Sequence, residues 1–159
     1  MKYFLRQKSQ EIWNEGFYIK QDNGEQKYFV KTENGKLSAI NIFDLNENVL
    51  LKIQKKLFRY DVFDSKMQIL FSIGPNFSFR NKKYLIKSEY EQFKNIKIDG
   101  NYLSLNYDIF KPEEILAQIS KRIIYVLDTY CCDIIDEQNE LYYIAMSIII
   151  DLFTNKNKS

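Results

Sequence analysis

The stretch Leu141–Phe153, LYYIAMSIIIDLF, constrains this chain more than any other. Thirteen residues without Gly or Pro predict a helix, of roughly 20 Å at 1.5 Å per residue. That is short of the ~20 apolar residues a membrane span needs. Glu137 and Glu140 fall at its start and Lys156 and Lys158 beyond its end, both favourable to the helix dipole. Around the wheel, apolar side chains cover about two-thirds of the circumference, whereas a surface helix needs a stripe little more than 100° wide. A helix this apolar must be enclosed by the rest of the chain. Its remaining arc carries Tyr143, Ser147 and Asp151, spaced i, i+4, i+8 in one polar line. A carboxylate near a helix C-terminus opposes the dipole, and burying it is costly unless it is paired. Asp151 therefore either accepts hydrogen bonds from a strand, a Tyr or a Lys/Arg, or belongs to a polar opening that could take a small ligand.

What precedes the helix reads as short strands. Lys2–Gln7 opens as one, and Ser9–Glu15, with the only Trp (Trp13), reads as a polar connector. In Gly16–Gln21, Phe17 and Ile19 alternate with Tyr18 and Lys20. Asp22-Asn23-Gly24 is a turn and Asn34-Gly35 the strongest hairpin signal. Strands are expected at Lys27–Thr32, Leu37–Phe43, Val49–Lys55, Arg59–Phe63 and Lys66–Ile73, with turns at Asp44–Asn48 and Asp64-Ser65. Gly74-Pro75 breaks the pattern, and Asn76–Arg80, Lys83–Ser88 and Lys94–Ile98 resume it. Asp99-Gly100 is expected to turn into Tyr102–Tyr107. After Lys111-Pro112 come Ile115–Lys121, Ile123–Leu127 and Thr129–Ile135. A weak echo links Lys52–Phe58 with Gln118–Ile124, each read as a strand end with paired basic residues and a following apolar turn; Phe77–Ile86 is a looser copy.

About a dozen strands at roughly 8–12-residue spacing predict a mainly β fold, an antiparallel sandwich or barrel. Closing the sheet removes its edges. Yet about twelve strands enclose more space than their own side chains fill, since ~8 already leave a narrow interior. Such a barrel needs a plug, and the apolar helix needs a sheath. Residues 1–159 are accordingly expected to form one domain.

The ordered set of pieces resembles the LURP-one-related proteins of the tubby-like group. The residues that carry it are Tyr18-Ile19-Lys20 with Asn23-Gly24, Tyr28–Val30, Leu37–Asp44, Ile53–Phe58, Ile119–Arg122 and the terminal Ile148-Ile149-Ile150-Asp151. The resemblance implies a twelve-stranded antiparallel barrel around a C-terminal helix, with Asp151 at the position of an Asp usual near that helix's end. It implies no established enzymatic activity and no cofactor. In the wider group, tubby proteins bind phosphoinositide head groups and the related scramblases act at membranes. The chain departs from the family pattern in its Gly-poor loop Leu57–Asp61 and in the adjacent Cys131 and Cys132.

The composition closes several chemical routes. The chain has no His, which excludes Ser-His and Cys-His nucleophiles and His-bearing metal sites. Cys131 and Cys132 cannot frame disulfides; strand alternation predicts one buried and one at the surface. Asp133, Asp136, Glu137 and Glu140 read as a solvated turn with favourable N-terminal charge rather than a cation site. Net charge is +2, from 23 basic and 21 acidic residues, too balanced to imply nucleic acid. MKYFLRQKSQ lacks an apolar core of signal-peptide length, which together with the cysteine usage predicts the cytoplasm, peripheral to membranes where function requires. The functional lead is local charge: Lys52, Lys55, Lys56 and Arg59; Arg80, Lys82, Lys83 and Lys87; Lys121 and Arg122. Interleaved with Phe and Tyr, these are candidate contacts for anionic phospholipid, each worth ~1 kcal/mol near a charged surface. Solvated strand edges, which Lys protects against aggregation, are the plainer account. A protein-partner module is a further alternative, to be marked by an exposed apolar patch.

Overall fold

The computed structural model describes residues 1–6, 10–76, 81–101, 106–124 and 127–154. Strands run as β1 (Lys2–Arg6), β2 (Phe17–Gln21), β3 (Gln26–Glu33), β4 (Lys36–Phe43), β5 (Val49–Lys55) and β6 (Tyr60–Asp64). They continue as β7 (Ile69–Asn76), β8 (Asn81–Lys87), β9 (Lys97–Asn101), β10 (Tyr107–Lys111), β11 (Glu114–Ile124) and β12 (Leu127–Ile134). Helix α1 is Gln10–Glu15 and helix α2 is Glu140–Thr154. Each strand pairs antiparallel with its sequence neighbours, and β1 pairs with β12, so the twelve close into a barrel.

Period-two patterning decides which face looks inward. In β2, Phe17 and Ile19 are buried while Tyr18 and Lys20 are exposed. Register then assembles rows of inward residues around the wall. Ile40, Ile53, Val62 and Phe71 lie side by side across β4 to β7. Tyr84, Ile98, Ile109, Ala117 and Ile134 do the same across β8 to β12.

α2 fills the space those rows enclose. Every residue from Tyr143 to Leu152 is buried, whichever way it points. The helix meets the wall on several sides. Its first residue, Glu140, accepts hydrogen bonds from the hydroxyls of Tyr3 on β1 and Tyr28 on β3. Ser147 Oγ lies 3.2 Å from Cys132 Sγ on β12. Phe153 packs on Tyr60 of β6 and Tyr84 of β8, with ring centroids 5.0 and 5.2 Å apart.

Hairpin chemistry follows the turn residues. Asn34 and Gly35 both hold positive φ, 53° and 71°, the conformation that makes Asn-Gly a hairpin. Two turns share another device. Asp44 Oδ1 accepts from the backbone N–H of Asn46 and Asn48, and Asp64 Oδ1 from those of Lys66 and Gln68.

Several expectations are corrected. The polar connector before β2 is helix α1, and Trp13 is buried, edge-on to Phe17 at 5.0 Å. Gly74-Pro75 does not break a strand: β7 runs through both, opposite Leu85 and Tyr84 of β8. Pro is tolerated there because the β6 ladder ends at Ile73, leaving no donor required on that side. Asp99-Gly100 is strand β9, not a turn. Ile123 and Ile124 belong to the long β11, so the apolar pair after Lys121-Arg122 is still strand and not a turn, unlike Leu57-Phe58 after β5. Residues 77–80 and 102–105 lie outside the described residues.

Both cysteines are buried, against the expectation of a surface thiol. Burial pushes the Cys132 thiol up to about 12, which makes it a poor nucleophile. Among the described residues no helix is long and apolar enough to cross a membrane.

Candidate functional site

Among the described residues a cluster of exposed cations lies on the outer wall at β5–β8. β5 and β6 join through a short hairpin closed by a 2.8 Å bond from the Lys56 N–H to the Arg59 carbonyl. Leu57 and Phe58 form its tip. No strand neighbour covers them, and they are 82% and 69% exposed. Lys55 and Lys56 precede the pair and Arg59 follows it, all exposed.

Below the tip, register builds a polar row across the outer face. Gln54 of β5, Asp61 of β6, Ser72 of β7 and Lys87 of β8 stand opposite one another. Tyr60 and Val62 point inward, so Asp61 between them points out. Even so it is only 3% exposed. Its carboxylate accepts a 2.9 Å bond from Arg59 Nε and a 2.6 Å bond from Ser72 Oγ. These donors answer for the cost of a buried charge.

The hairpin tip overhangs β7 and β8 to form a cleft of about 760 Å³. Its cations are Lys56, Arg59 and Lys87; its apolar walls are Leu57, Phe58, Pro75 and Leu85; Ser72 and Gly74 form the floor. A smaller cleft of about 310 Å³ adjoins it, sharing Ser72 and Lys87.

The fold thus regroups the basic residues predicted from sequence. Lys55, Lys56 and Arg59 stay together and gain Lys87 from the second cluster. Lys52 leaves: it is half-buried and paired with Glu33 at 3.1 Å. Lys83 faces Asp99 at 4.0 Å. Lys82 lies on β8 opposite Gly100, and Lys121 and Arg122 on β11 opposite Tyr130 and Thr129. The side chains of those three lie outside the described residues, as does Arg80 altogether. β11 is also three strands round from β8.

The polar line on α2 has an internal setting. Tyr143, Ser147 and Asp151 are all buried, and none of them lines either cleft. Tyr143 Oη donates to Asp136 Oδ2 at 2.6 Å, and Ser147 Oγ to the Tyr143 carbonyl at 2.8 Å. Asp151 also has an interaction with a neighbour. Of the acidic residues before the helix, Asp136 is engaged by Tyr143 and Asn139, and Glu140 by Tyr3 and Tyr28. Among the described residues no three His, Cys, Asp or Glu are gathered as metal ligands.

Sequence reasoning missed Asp61 and Ser72, whose partnership exists only through β6–β7 register. The Leu57-Phe58 tip had a visible signal, an apolar pair inside the basic run KKLFR.

Comparison with known proteins decides the family. The model of the LURP-one-related family matches residues 1–151. The chain belongs to the LURP-one-related family. Its barrel is similar to the X-ray structure of a protein from Arabidopsis thaliana. The TM-score is 0.61 over 97% of this chain and 91% of that one, at 14% sequence identity. At that identity the likeness is one of fold, a closed twelve-stranded barrel with a C-terminal helix. No curated protein matches the chain. The family match spans Lys55–Arg59 and α2 as far as Asp151.

Proposed function

We propose that this LURP-one-related protein is a non-catalytic domain that attaches to membranes rich in anionic phospholipid through the Lys55–Arg59 hairpin. One observation carries the reading: Leu57 and Phe58 stand almost bare at the tip of a hairpin, with cations on both sides. Adjacent exposed apolar side chains rimmed by charged residues are the pattern of an interaction surface. A bilayer offers apolar interior and anionic headgroups at the matching depths. Lys55, Lys56, Arg59 and Lys87 would contribute ~1 kcal/mol each beside an anionic leaflet. Partial burial of the two tip residues adds a fraction of the ~1.5–3 kcal/mol that full burial of each would provide. Charge and grease together supply the two signals that peripheral attachment requires.

Flotation with phosphatidylserine-containing liposomes tests this. Wild type should float at low salt and sink as salt rises. Lys55/Lys56→Glu should abolish flotation, and Leu57/Phe58→Ser should weaken it while leaving the melting temperature unchanged. Failure of the wild type to float at low salt, or flotation untouched by both double variants, removes the reading. The buried line Tyr143, Ser147 and Asp151 has no role at such a surface.

A further inference from the structure

We propose that the cleft beneath the hairpin is a built site for a lipid phosphomonoester, and that Asp61 is the positioning residue that sets Arg59 to grip it. The inference rests on the membrane reading above and names the headgroup it selects.

Asp61 is the reason to see more than diffuse charge. A carboxylate 3% exposed, on the outer face of a barrel wall, is held by Ser72 Oγ on one side and Arg59 Nε on the other. Arginine's donors lie in one rigid plane. With Nε committed to Asp61, the Nη edge is left for a ligand, and 57% of the Arg59 side chain remains exposed where it lines the cleft. A Lys at this position could supply charge but not a second planar edge. Lys87 stands across the floor, directly opposite Ser72 in register, and Lys56 lies at the hairpin end. Three cations against one carboxylate leave a local excess of two positive charges. A phosphomonoester carries about −1.5 to −2 at neutral pH with three acceptor oxygens, whereas a phosphodiester carries a single charge. Charge and oxygen count both favour the monoester.

The walls say that it is a lipid. Leu57, Phe58, Pro75 and Leu85 line the same cleft as the cations. A free sugar phosphate would leave them uncovered, while a glycerol backbone with its acyl chains would run along them toward the tip. The volume of about 760 Å³ is larger than a phosphoryl group and accommodates the headgroup with its glycerol.

The test is vesicle sedimentation of the full chain on phosphatidylcholine vesicles doped with phosphatidic acid or with phosphatidylglycerol, matched in surface potential. Wild type should bind the phosphatidic acid vesicles about tenfold more tightly; Arg59→Lys, which keeps the charge and loses the fork, should erase that preference, so that the two vesicle types bind within about threefold of each other. Asp61→Asn should act like Arg59→Lys. If Asp61→Asn fails to fold, Ser72→Ala with Arg59→Lys carries the test, since Arg59 is an exposed side chain. Equal wild-type affinity for both vesicles, or a preference that survives Arg59→Lys, overturns the built site while leaving membrane attachment standing. Binding to neither vesicle overturns both. Glycerol 3-phosphate binding as tightly as phosphatidic acid vesicles overturns the lipid assignment.

Discussion

Gly100 occupies an interior position of β9 opposite Tyr107 of β10, and the Tyr107 ring lies where a Cβ on Gly100 would be. The glycine is there for packing: it lets a buried tyrosine lie flat over the neighbouring strand. Gly100→Ala should therefore destabilise by about 1–3 kcal/mol, the usual cost of overpacking. The shift would be read as a lower urea midpoint at unchanged slope; an unchanged midpoint would show that Tyr107 has somewhere to move. A glycine after an Asp reads locally as a turn, and only the facing ring reveals its other use. The cysteines teach the same lesson. Alternation predicts one surface thiol, but both are covered, and burial raises Cys132 to about 12. Native protein should therefore leave both thiols unmodified by a thiol reagent at pH 8, with reaction appearing only in denaturant. Rapid labelling of one thiol in the native state would contradict the buried placement.

At the scale of elements, α2 and the β5–β6 hairpin are opposites. Ile148 is 1% exposed at the helix midpoint. Ile148→Ala should cost about 2–5 kcal/mol, because a cavity at the centre of a closed barrel has little freedom to collapse. Leu57→Ser at the tip should stay within about 0.5 kcal/mol of wild type, since Leu57 is 82% exposed and gives up little buried area. Chemical denaturation of the two variants side by side checks the contrast; equal losses would mean that the helix is not the plug or the tip is not free. α2 was legible because ten consecutive buried positions leave a long apolar record. α1 was not legible. Its six residues carry too short a pattern for any period, and what holds it is Trp13 on Phe17 and Asn14 accepting from Thr32 Oγ1 at 3.0 Å.

Across the whole molecule, a barrel that buries this many tyrosines becomes sensitive to alkali. Tyr3, Tyr28, Tyr60, Tyr107 and Tyr143 are all shifted upward, first by burial, and Tyr60 reaches about 12. Hydrogen bonds to Glu140 add to the shift of Tyr3 and Tyr28, and one to Asp136 adds to that of Tyr143. The sign follows from linkage. The unfolded chain ionises its tyrosines near 10 while the fold still holds them neutral, so the unfolded state binds fewer protons. Stability from these groups is full below pH ~10 and declines progressively above it, through 12 for Tyr60. Urea midpoints between pH 8 and 12 should fall steadily above 10, in step with a cooperative rise in phenolate absorbance. All tyrosines ionising near 10 in a chain that stays folded would contradict this.

The sequence by itself determined the class and the plan. Period-two runs with Asx and Asn-Gly turns specify antiparallel strands, and one helix greasy most of the way round specifies what they must enclose. Both signals are local and repeated, so they survive without coordinates. Tertiary structure alone decided which charged residues gather at the candidate site. Lys87 joins Lys56 and Arg59, Lys52 leaves to meet Glu33, and Asp61 finds Ser72, all through strand register. Register is a relation between distant residues, set by how each hairpin closes, and a one-residue slip would send Asp61 into the barrel. Pattern tells a strand which face is oily; only pairing tells it whose side chains stand beside its own.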